Sequence, residues 1–370
     1  MHFKNGQSRN HAFTLKFSVV VIAAITVLPG CGGGGSQPQS VKTAKYSITD
    51  LGSFGPLSIN DSGTILGSIS LGDATGSQPE IWKNGTAKPF GPAGVSPVSI
   101  NNQGVAIGIR YVPDSALNTA KAGLLSEGSI QDLNLPANIH SFPHGINTAG
   151  AIVGNFQTYN DPQPPAGYDV REHAFVYTAN KSTELPPLSG DDGAEAFDIN
   201  NVGQVVGLSI RDHVSSEETH QHAVIWNNGV PTDLGTLGGK NSLAERVNDN
   251  GVVIGSTESS TAPADQVTSR RAFQWKNGKM AELPPLASGQ GSFALDLNNQ
   301  GVVVGYSASD FTHQTATIWV NGHPIDLNTL IPASSGYVLT LAGDINASGQ
   351  IIAGGTHNGV KAYILLTPQK

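Results

Sequence analysis

Three stretches of the chain gather residue types that could do chemistry. RDHVSSEETHQH, Arg211–His222, carries His213, Glu217, Glu218, His220 and His222, nitrogen and oxygen donors of the kind that ligate metal ions. His220 and His222 are two apart, so an extended strand would turn both to one face. IHSFPHG, Ile139–Gly145, holds His140 and His144, but Pro143 forbids a helix that would align them, and the stretch reads as a loop. NFQTYNDPQPPAGYDVRE, Asn155–Glu172, sets Tyr159, Asp161, Tyr168 and Asp169 among prolines and acids. That mixture suits contact with a glycan or a protein, and equally a solvated loop. No G-x-S-x-G, H-E-x-x-H, phosphate-loop or EF-hand pattern occurs, and Gly32–Gly35 has no strand before it or helix after it. No catalytic, cofactor-binding or metal residue is therefore assigned, and no cofactor is expected. Tyr159, Asp161, Tyr168, Asp169, His213, Glu217, Glu218 and His220 stand as candidate interaction residues on loops.

The elements that must carry these loops are written in a repeat. INDSGTILG at Ile59–Gly67 returns as INNQGVAIG, INTAGAIVG, INNVGQVVG, VNDNGVVIG, LNNQGVVVG and INASGQIIA, the last at Ile345–Ala353. The mid-phrase residues Gly63, Gly104, Gly150, Gly203, Gly251, Gly301 and Gly349 are 41 to 53 residues apart, a period of stacked or radial repeats. In each phrase a strand ends at Asn, four residues turn, and a second strand starts after Gly. Asn accepts a hydrogen bond from backbone two residues on and Gly adopts the left-handed conformation, which is a type I turn with a G1 bulge. That chemistry accounts for Asn60, Asn101, Asn147, Asn200, Asn248, Asn298 and Asn346 without a ligand.

A second phrase follows each first one, as in EIWKNG at Glu80–Gly85, HAVIWNNG at His222–Gly229 and RAFQWKNG at Arg271–Gly278. Asn-Gly between apolar runs signals a second hairpin, and a short fourth strand ends in acid plus Leu, as at Glu184-Leu185 and Asp233-Leu234. The third strand is bulky on one side and small on the other (Phe175 and Tyr177 against Ala174 and Val176), so both faces of each sheet must be covered. Radial packing of seven four-stranded sheets achieves this. The expected fold is all-β, a seven-bladed β-propeller. YSITDLG at Tyr46–Gly52 is a fourth strand with no first three before it, and KAYILL at Lys361–Leu366 is a third strand with no fourth after it. The N-terminal strand should therefore complete the last blade. LPPL recurs at Leu185–Leu188 and Leu283–Leu286, which marks it as repeat architecture.

The stretch HAVIWNNGVPTDLGTLGGKNSLAERVNDNGVVIGST, His222–Thr257, resembles the HAF repeat of bacterial extracellular proteins, and His173-Ala174-Phe175 keeps the name motif intact. Arg271, Thr315 and Lys361 replace the histidine elsewhere, and GTLGG stands whole only at Gly235–Gly239. The resemblance covers nearly all of Tyr46–Leu366. It implies extracellular placement and no particular reaction. Recurrence at one blade position makes His173 and His222 structural.

The first 31 residues hold a basic start, an apolar run at Phe17–Leu28 and then LPGC. Twelve residues are too few to span a bilayer but fit a secretory leader, and LPGC resembles the lipobox of bacterial lipoproteins. We expect a signal peptide over residues 1–30, lipidation at Cys31, a flexible Gly/Ser/Pro/Gln tether over residues 31–45 and one propeller over residues 46–367. Gly32, rather than Asp, after the cysteine favours the outer membrane where the host has one. Cys31 is the only cysteine, so disulfides and zinc-thiolate sites are excluded. Removing Lys4, Arg9 and Lys16 with the leader leaves 17 basic against 28 acidic residues, a net charge of −11, which disfavours nucleic acid as a partner.

These features describe a monomeric, lipid-anchored propeller of the cell envelope, periplasmic or surface-exposed. It would act as a non-catalytic binding scaffold for an envelope protein or glycan. The alternative is a propeller enzyme, a hydrolase or lyase acting on carbohydrate or peptide. Carboxylates or histidines drawn from three or more blades onto the channel would favour the enzyme; an apolar channel mouth under aromatic loops would favour binding.

Overall fold

A computed structural model describes residues 45–72, 76–113, 118–136, 140–159, 170–211, 220–260, 270–287, 289–310 and 312–369. The leader, Cys31 and the tether lie outside the described residues.

Each Asn-x-x-Gly phrase folds as its residues demand. The amide of Gly63 donates to the carbonyl of Asn60 at 2.9 Å, and Gly63 takes φ 74°, a conformation that a Cβ would strain. The same turn recurs in the other six phrases, with Gly φ between 69° and 85°. At the other hairpin Asn and Gly both take positive φ, for example Asn228 at 51° and Gly229 at 79°, the two-residue turn that matches strand twist.

Among the described residues the strands form seven four-stranded antiparallel sheets. The first strands of the blades are β2 (Gly55–Ile59), β6 (Ser96–Ile100), β10 (Ser141–Ile146), β14 (Gly193–Ile199), β18 (Gly238–Val247), β22 (Gly291–Leu297) and β26 (Tyr337–Ile345). They touch one another in sequence, and β26 touches β2, so these seven surround the axis. The protein is an all-β, seven-bladed propeller. The N-terminal strand β1 (Tyr46–Asp50) pairs antiparallel with β28 (Val360–Pro368), from Tyr46 opposite Pro368 to Asp50 opposite Ile364, and completes the seventh blade.

Neighbouring blades are pinned in three recurrent ways. Core clusters form between blades, as where Ala174, Ala194, Ala196, Val205 and Trp226 meet. The LPPL segments present a proline carbonyl to the next blade's tryptophan: Trp226 Nε1 donates to Pro186 O and Trp319 Nε1 to Pro284 O, both at 2.7 Å. Serines at one position of the inner strand (Ser141, Ser242, Ser292) accept the amide of Ala122, Ala223 or Ala272 in the preceding blade.

Alternation along an inner strand decides what faces the axis. Ala194 and Ala196 of β14 are buried against blade 3, so Glu195 between them points to the channel. Every inner strand then carries a bulge of one residue, placed between Ala196 and Asp198 in β14 and at the matching position elsewhere. Such a bulge re-aims side chains. Pro56, Pro97 and Pro143 stand beside it in blades 1 to 3 where the other blades have Ala. Ser141–Ile146 is thus an inner strand and not the loop that Pro143 suggested; next to a bulge, proline is compatible with a strand.

Candidate functional site in the channel

The seven turn asparagines do more than shape turns. Each side chain is buried, accepts from its own turn through Oδ1, and donates through Nδ2 to the backbone carbonyl of the next blade's Asn. The donations run from Asn60 to Asn101, Asn147, Asn200, Asn248, Asn298, Asn346 and back to Asn60, at 2.8–3.3 Å. The ring is closed, and its polar atoms are committed to the fold.

Two residues before each Asn lies a belt that does not repeat: Ser58, Ser99, Gly145, Asp198, Arg246, Asp296 and Asp344. The bulge frees the following amide, and where the belt residue is Asp its carboxylate takes that amide from the next blade. Val247 N donates to Asp198 Oδ2 at 2.9 Å, Ile345 N to Asp296 Oδ2 at 2.9 Å and Ile59 N to Asp344 Oδ2 at 3.1 Å. Arg246 lies among these acids, its Nε 3.9 Å from Asp296 Oδ1 and one terminal nitrogen 2.8 Å from Glu245 O. Burial works against the Arg246 charge, but Asp198, Asp296, Glu245 and Asp344 outweigh it and hold the guanidinium protonated. Burial raises Asp198, Asp296 and Asp344. Asp296 and Asp344 are hydrogen-bonded to each other, so they share a proton, and Asp296 is raised well above the carboxylate range.

Toward the opposite end of the channel lies a second group between blades 3 and 4. In β11 (Ile152–Tyr159) and β12 (Val170–Thr178), Asn155 Nδ2 and Gln157 Nε2 donate to the two oxygens of Glu172 at 2.5 and 2.6 Å. Because Asn155 donates from its nitrogen, its Oδ1 faces His144 Nε2 at 2.8 Å, which assigns the ring hydrogen to Nε2 and leaves Nδ1 bare. His144 is the bulged residue of β10, and Phe197, the bulged residue of β14, meets its ring edge-on at 5.3 Å. Burial, with Arg246 across the channel, lowers His144 to about 4, so the ring is neutral. Glu195 is pushed up to about 8 by burial and then by Glu172, and no donor among the described residues reaches its carboxyl. Glu245 is raised by burial, and Tyr306, pushed up to about 12 by burial and then by Glu245, stacks on Phe293 at 4.6 Å.

The channel faces of the inner strands thus hold five carboxyls (Glu195, Asp198, Glu245, Asp296, Asp344) against the guanidinium of Arg246, all from blades 4 to 7. Among the described residues no group of three or more His, Cys, Asp or Glu could hold a metal ion.

The residues singled out in the sequence fall elsewhere. His220 Nε2 lies 3.4 Å from Asp191 Oδ1, and its ring meets that of His222 at 4.7 Å on one strand face. His222 Nδ1 pairs with Asp233, His173 Nδ1 with Glu184 and Arg271 with Glu282, which links one recurrent position of the third strand to the acid of the fourth in blades 3, 4 and 5. Tyr159 ends β11, with its backbone opposite Val170. Asp161, Tyr168, Asp169, His213, Glu217 and Glu218 lie outside the described residues. Glu195 and the belt acids are not among the residues singled out, though the belt has a signal in the sequence: with the repeats aligned on Asn, the position two before it reads Ser, Ser, Gly, Asp, Arg, Asp, Asp.

Comparison with known proteins places this channel in context. Residues 187–361, which contain all five channel carboxyls and Arg246, match the model of DUF3466, described as a protein of unknown function. No curated protein matches the chain by sequence. Among solved structures, the β-propeller domain of the trilobed protease from Pyrococcus furiosus is 12% identical with a TM-score of 0.51, covering 72% of this chain and 79% of that one; it is described as having an open velcro topology. Acylaminoacyl peptidase from Pyrococcus horikoshii is 12% identical with a TM-score of 0.54, covering 88% of this chain and 51% of the peptidase. This chain therefore spans about half the length of that enzyme. At such identity the likeness is one of fold.

Proposed function

We propose that the protein is an envelope-tethered, non-catalytic binding propeller whose ligand enters the acidic channel from the end opposite the asparagine ring. The observation that carries this reading is the division of labour among the channel acids. Asp198, Asp296 and Asp344 are each tied to a backbone amide of the neighbouring blade, whereas the Glu195 carboxyl takes no donor among the described residues. In an antiparallel blade the second strand ends and the third begins away from the Asn turns, so Tyr159, Val170, Arg211 and His220, the described residues that flank 160–169 and 212–219, lie on that side. The anchoring part of the reading rests on LPGC and the leader before it.

A second reading, a propeller hydrolase or lyase, is favoured by the acids themselves, since blades 4, 5, 6 and 7 all contribute a carboxyl to the channel. The shared proton of Asp296 and Asp344 is chemistry of the acid–base kind. Both carboxyls are nevertheless held by backbone amides of the next blade, Ile345 N and Ile59 N.

Two measurements test the proposal. Cys31→Ser should move the secreted protein from the detergent phase to the soluble one; retention in membranes, or a mature N-terminus elsewhere, defeats the anchor. Ser96→Trp, at the channel position that Glu195 holds in blade 4, should block binding to envelope glycan or protein without lowering the melting temperature. Release of cleaved product from such ligands would establish the enzyme instead.

A further inference from the structure

We propose that the groove between blades 4 and 5, at the end that carries the asparagine ring, is a binding site for a neutral sugar unit of a saccharide. It lies at the opposite end from the channel mouth and is a second site, independent of the ligand proposed there.

The argument starts from an exception among the tryptophans. Trp226 and Trp319 hold one recurrent place in the third strands of blades 4 and 6. Both are 0% exposed and donate from Nε1 to Pro186 O and Pro284 O of the preceding blade. Trp275 holds that place in β20 (Arg270–Lys276) of blade 5. Before it, blade 4 reads Leu234-Gly235 where blades 3 and 5 read Leu185-Pro186 and Leu283-Pro284. The carbonyl of Gly235 takes Ser242 Oγ at 2.7 Å instead of an indole. Trp275 is half-buried, and its Nε1 has no acceptor among the described residues. Nor is that nitrogen buried, since the one buried unpartnered side-chain atom described is Arg171 Nε. Trp82 also follows a Leu-Gly pair, Leu51-Gly52, and makes no such bond, but it packs into a cluster with Leu51 and Phe54. Beside Trp275 the space is open. A groove of about 500 Å³ is lined there by Val202, Gln204, Asp249, Asn250, Trp275 and Asn277, within the size range of small-ligand sites.

The bonding capacity left on these side chains selects the ligand. Gln204 is spent, accepting from Asn200 and donating to Asn227, both at 2.8 Å. Asn250 donates to Asn299 O at 2.8 Å and keeps Oδ1 open, while the Asn277 amide has no partner among the described residues. The groove therefore offers two kinds of donor (Trp275 Nε1, Asn277 Nδ2) and two acceptors (Asn250 Oδ1, Asn277 Oδ1) beside an aromatic face. A sugar ring matches all three features, because its hydroxyls both donate and accept and its C–H face is apolar. A proline-rich peptide answers only the donors, since proline has no N–H. Burial raises Asp249, but bonds from Asn201 and Asn299 outweigh it and hold the carboxyl below the usual carboxylate range. Its charge disfavours uronate or phosphate in the same groove.

The test is ligand-observed NMR titration of the whole chain carrying Cys31→Ser. The probes are cellotetraose, maltotetraose and chitotetraose, with glucose, the acidic tetragalacturonate and hexaproline beside them. We expect at least one neutral tetrasaccharide to bind; glucose binding as tightly would identify a free sugar as the source, and weaker glucose binding a saccharide chain. Trp275→Phe removes the indole N–H and part of the platform. Asn277→Gly removes the amide at a position whose φ of 50° suits glycine. Together they should lower affinity at least about tenfold. Should Trp275→Phe unfold the blade, Asn277→Gly alone carries the test with a loss of about threefold. Ser96→Trp, which fills the channel, should leave saccharide binding as it is. Four results would each overturn the assignment: no neutral saccharide bound, tetragalacturonate or hexaproline bound equally well, affinity unchanged in the variants, or affinity lost in Ser96→Trp. Binding of short saccharides is read separately from capture of envelope ligands, so failure here leaves the channel reading standing.

Discussion

Asn346 donates from Nδ2 to the carbonyl of Asn60, 3.1 Å away in space and 286 residues away in sequence. That bond closes a seven-membered ring across the junction of first and last blades. Asn60 holds its own end by accepting from the amides of Ser62 and Thr64 at 3.1 and 3.0 Å. Asn60→Ala removes the side chain, leaves the amide of buried Thr64 without its partner, and takes from the carbonyl of Asn101 one of two donors, the other being the amide of Gly104. A buried group so orphaned costs about 1–3 kcal/mol. We expect a loss of about 2–4 kcal/mol in urea denaturation, and an unchanged midpoint would show that the ring is ornamental.

The same junction is held a second time at the rim. All five residues of β1 pair with β28, Tyr46 and Leu51 are buried, and Tyr337 Oη donates to Asp50 Oδ2 at 2.9 Å. Deleting Tyr46–Gly52 exposes β28 as a free edge and removes several ladder bonds of about 1 kcal/mol each. Against a typical margin of about 5–15 kcal/mol, the truncated chain should aggregate or melt far below the full-length protein. Equal melting temperatures would disprove closure by this strand.

Stability should also report the raised acid in the channel. Glu195 titrates near 4.5 when unfolded and near 8 in the fold. Folding therefore favours its protonated form: the contribution is complete below pH 4.5 and is lost as pH rises through 8. Glu195→Gln should flatten the decline in melting temperature between pH 5 and 8 and melt higher than the wild type at pH 8.5. A variant whose profile parallels the wild type across that range would refute the assignment.

The recurrent histidines make the opposite expectation. His222 pairs with Asp233 and His173 with Glu184 at the rim, where the acids are about half exposed. Exposed ion pairs contribute about 0–1 kcal/mol. His173→Ala and His222→Ala should thus shift stability by no more than about 1 kcal/mol and leave ligand binding intact. Loss of binding in either would return the HAF histidine to the site.

What could be read from the sequence followed from what repeats. Asn-x-x-Gly, Asn-Gly and the orphan strand at Tyr46–Gly52 each act through local turn chemistry or strand count, so the blades and their closure were visible in one dimension. The bond from Asn346 to Asn60 was not, because a turn explains the residue equally well when no neighbour is in view. The channel acids were hidden for a different reason. Asp198 and Asp344 look like ordinary polar residues at strand ends, and only the bulge turns them inward and gives each an amide from the next blade. Pro143 misled because its strand meets a bulge where a helix-breaker does no harm. His213, Glu217 and Glu218 drew attention through density of donors, yet the described neighbour His220 is already turned to Asp191.

The last expectation concerns two of the three long connections between second and third strands, the third being residues 260–269 in blade 5. Between β11 and β12 residues 160–169 intervene, and between β15 (Val205–Arg211) and β16 (His220–Asn227) residues 212–219, against residues 309–313 in blade 6. A fold that had no use for such length would be expected to keep its loops short. Glu172 stands two residues into β12, so the first connection ends close to the carboxylate that Asn155 and Gln157 hold. Shortening either connection to its blade 6 counterpart removes none of the ring, belt or blade contacts described above, and the melting temperature should stay within a few degrees of the wild type. At least one of the two deletions should abolish binding to cells, glycan or partner protein, with the connection before Glu172 the stronger candidate. Intact binding in both, together with its loss on substituting a channel carboxyl, would move recognition wholly into the channel and strengthen the enzyme reading against the scaffold.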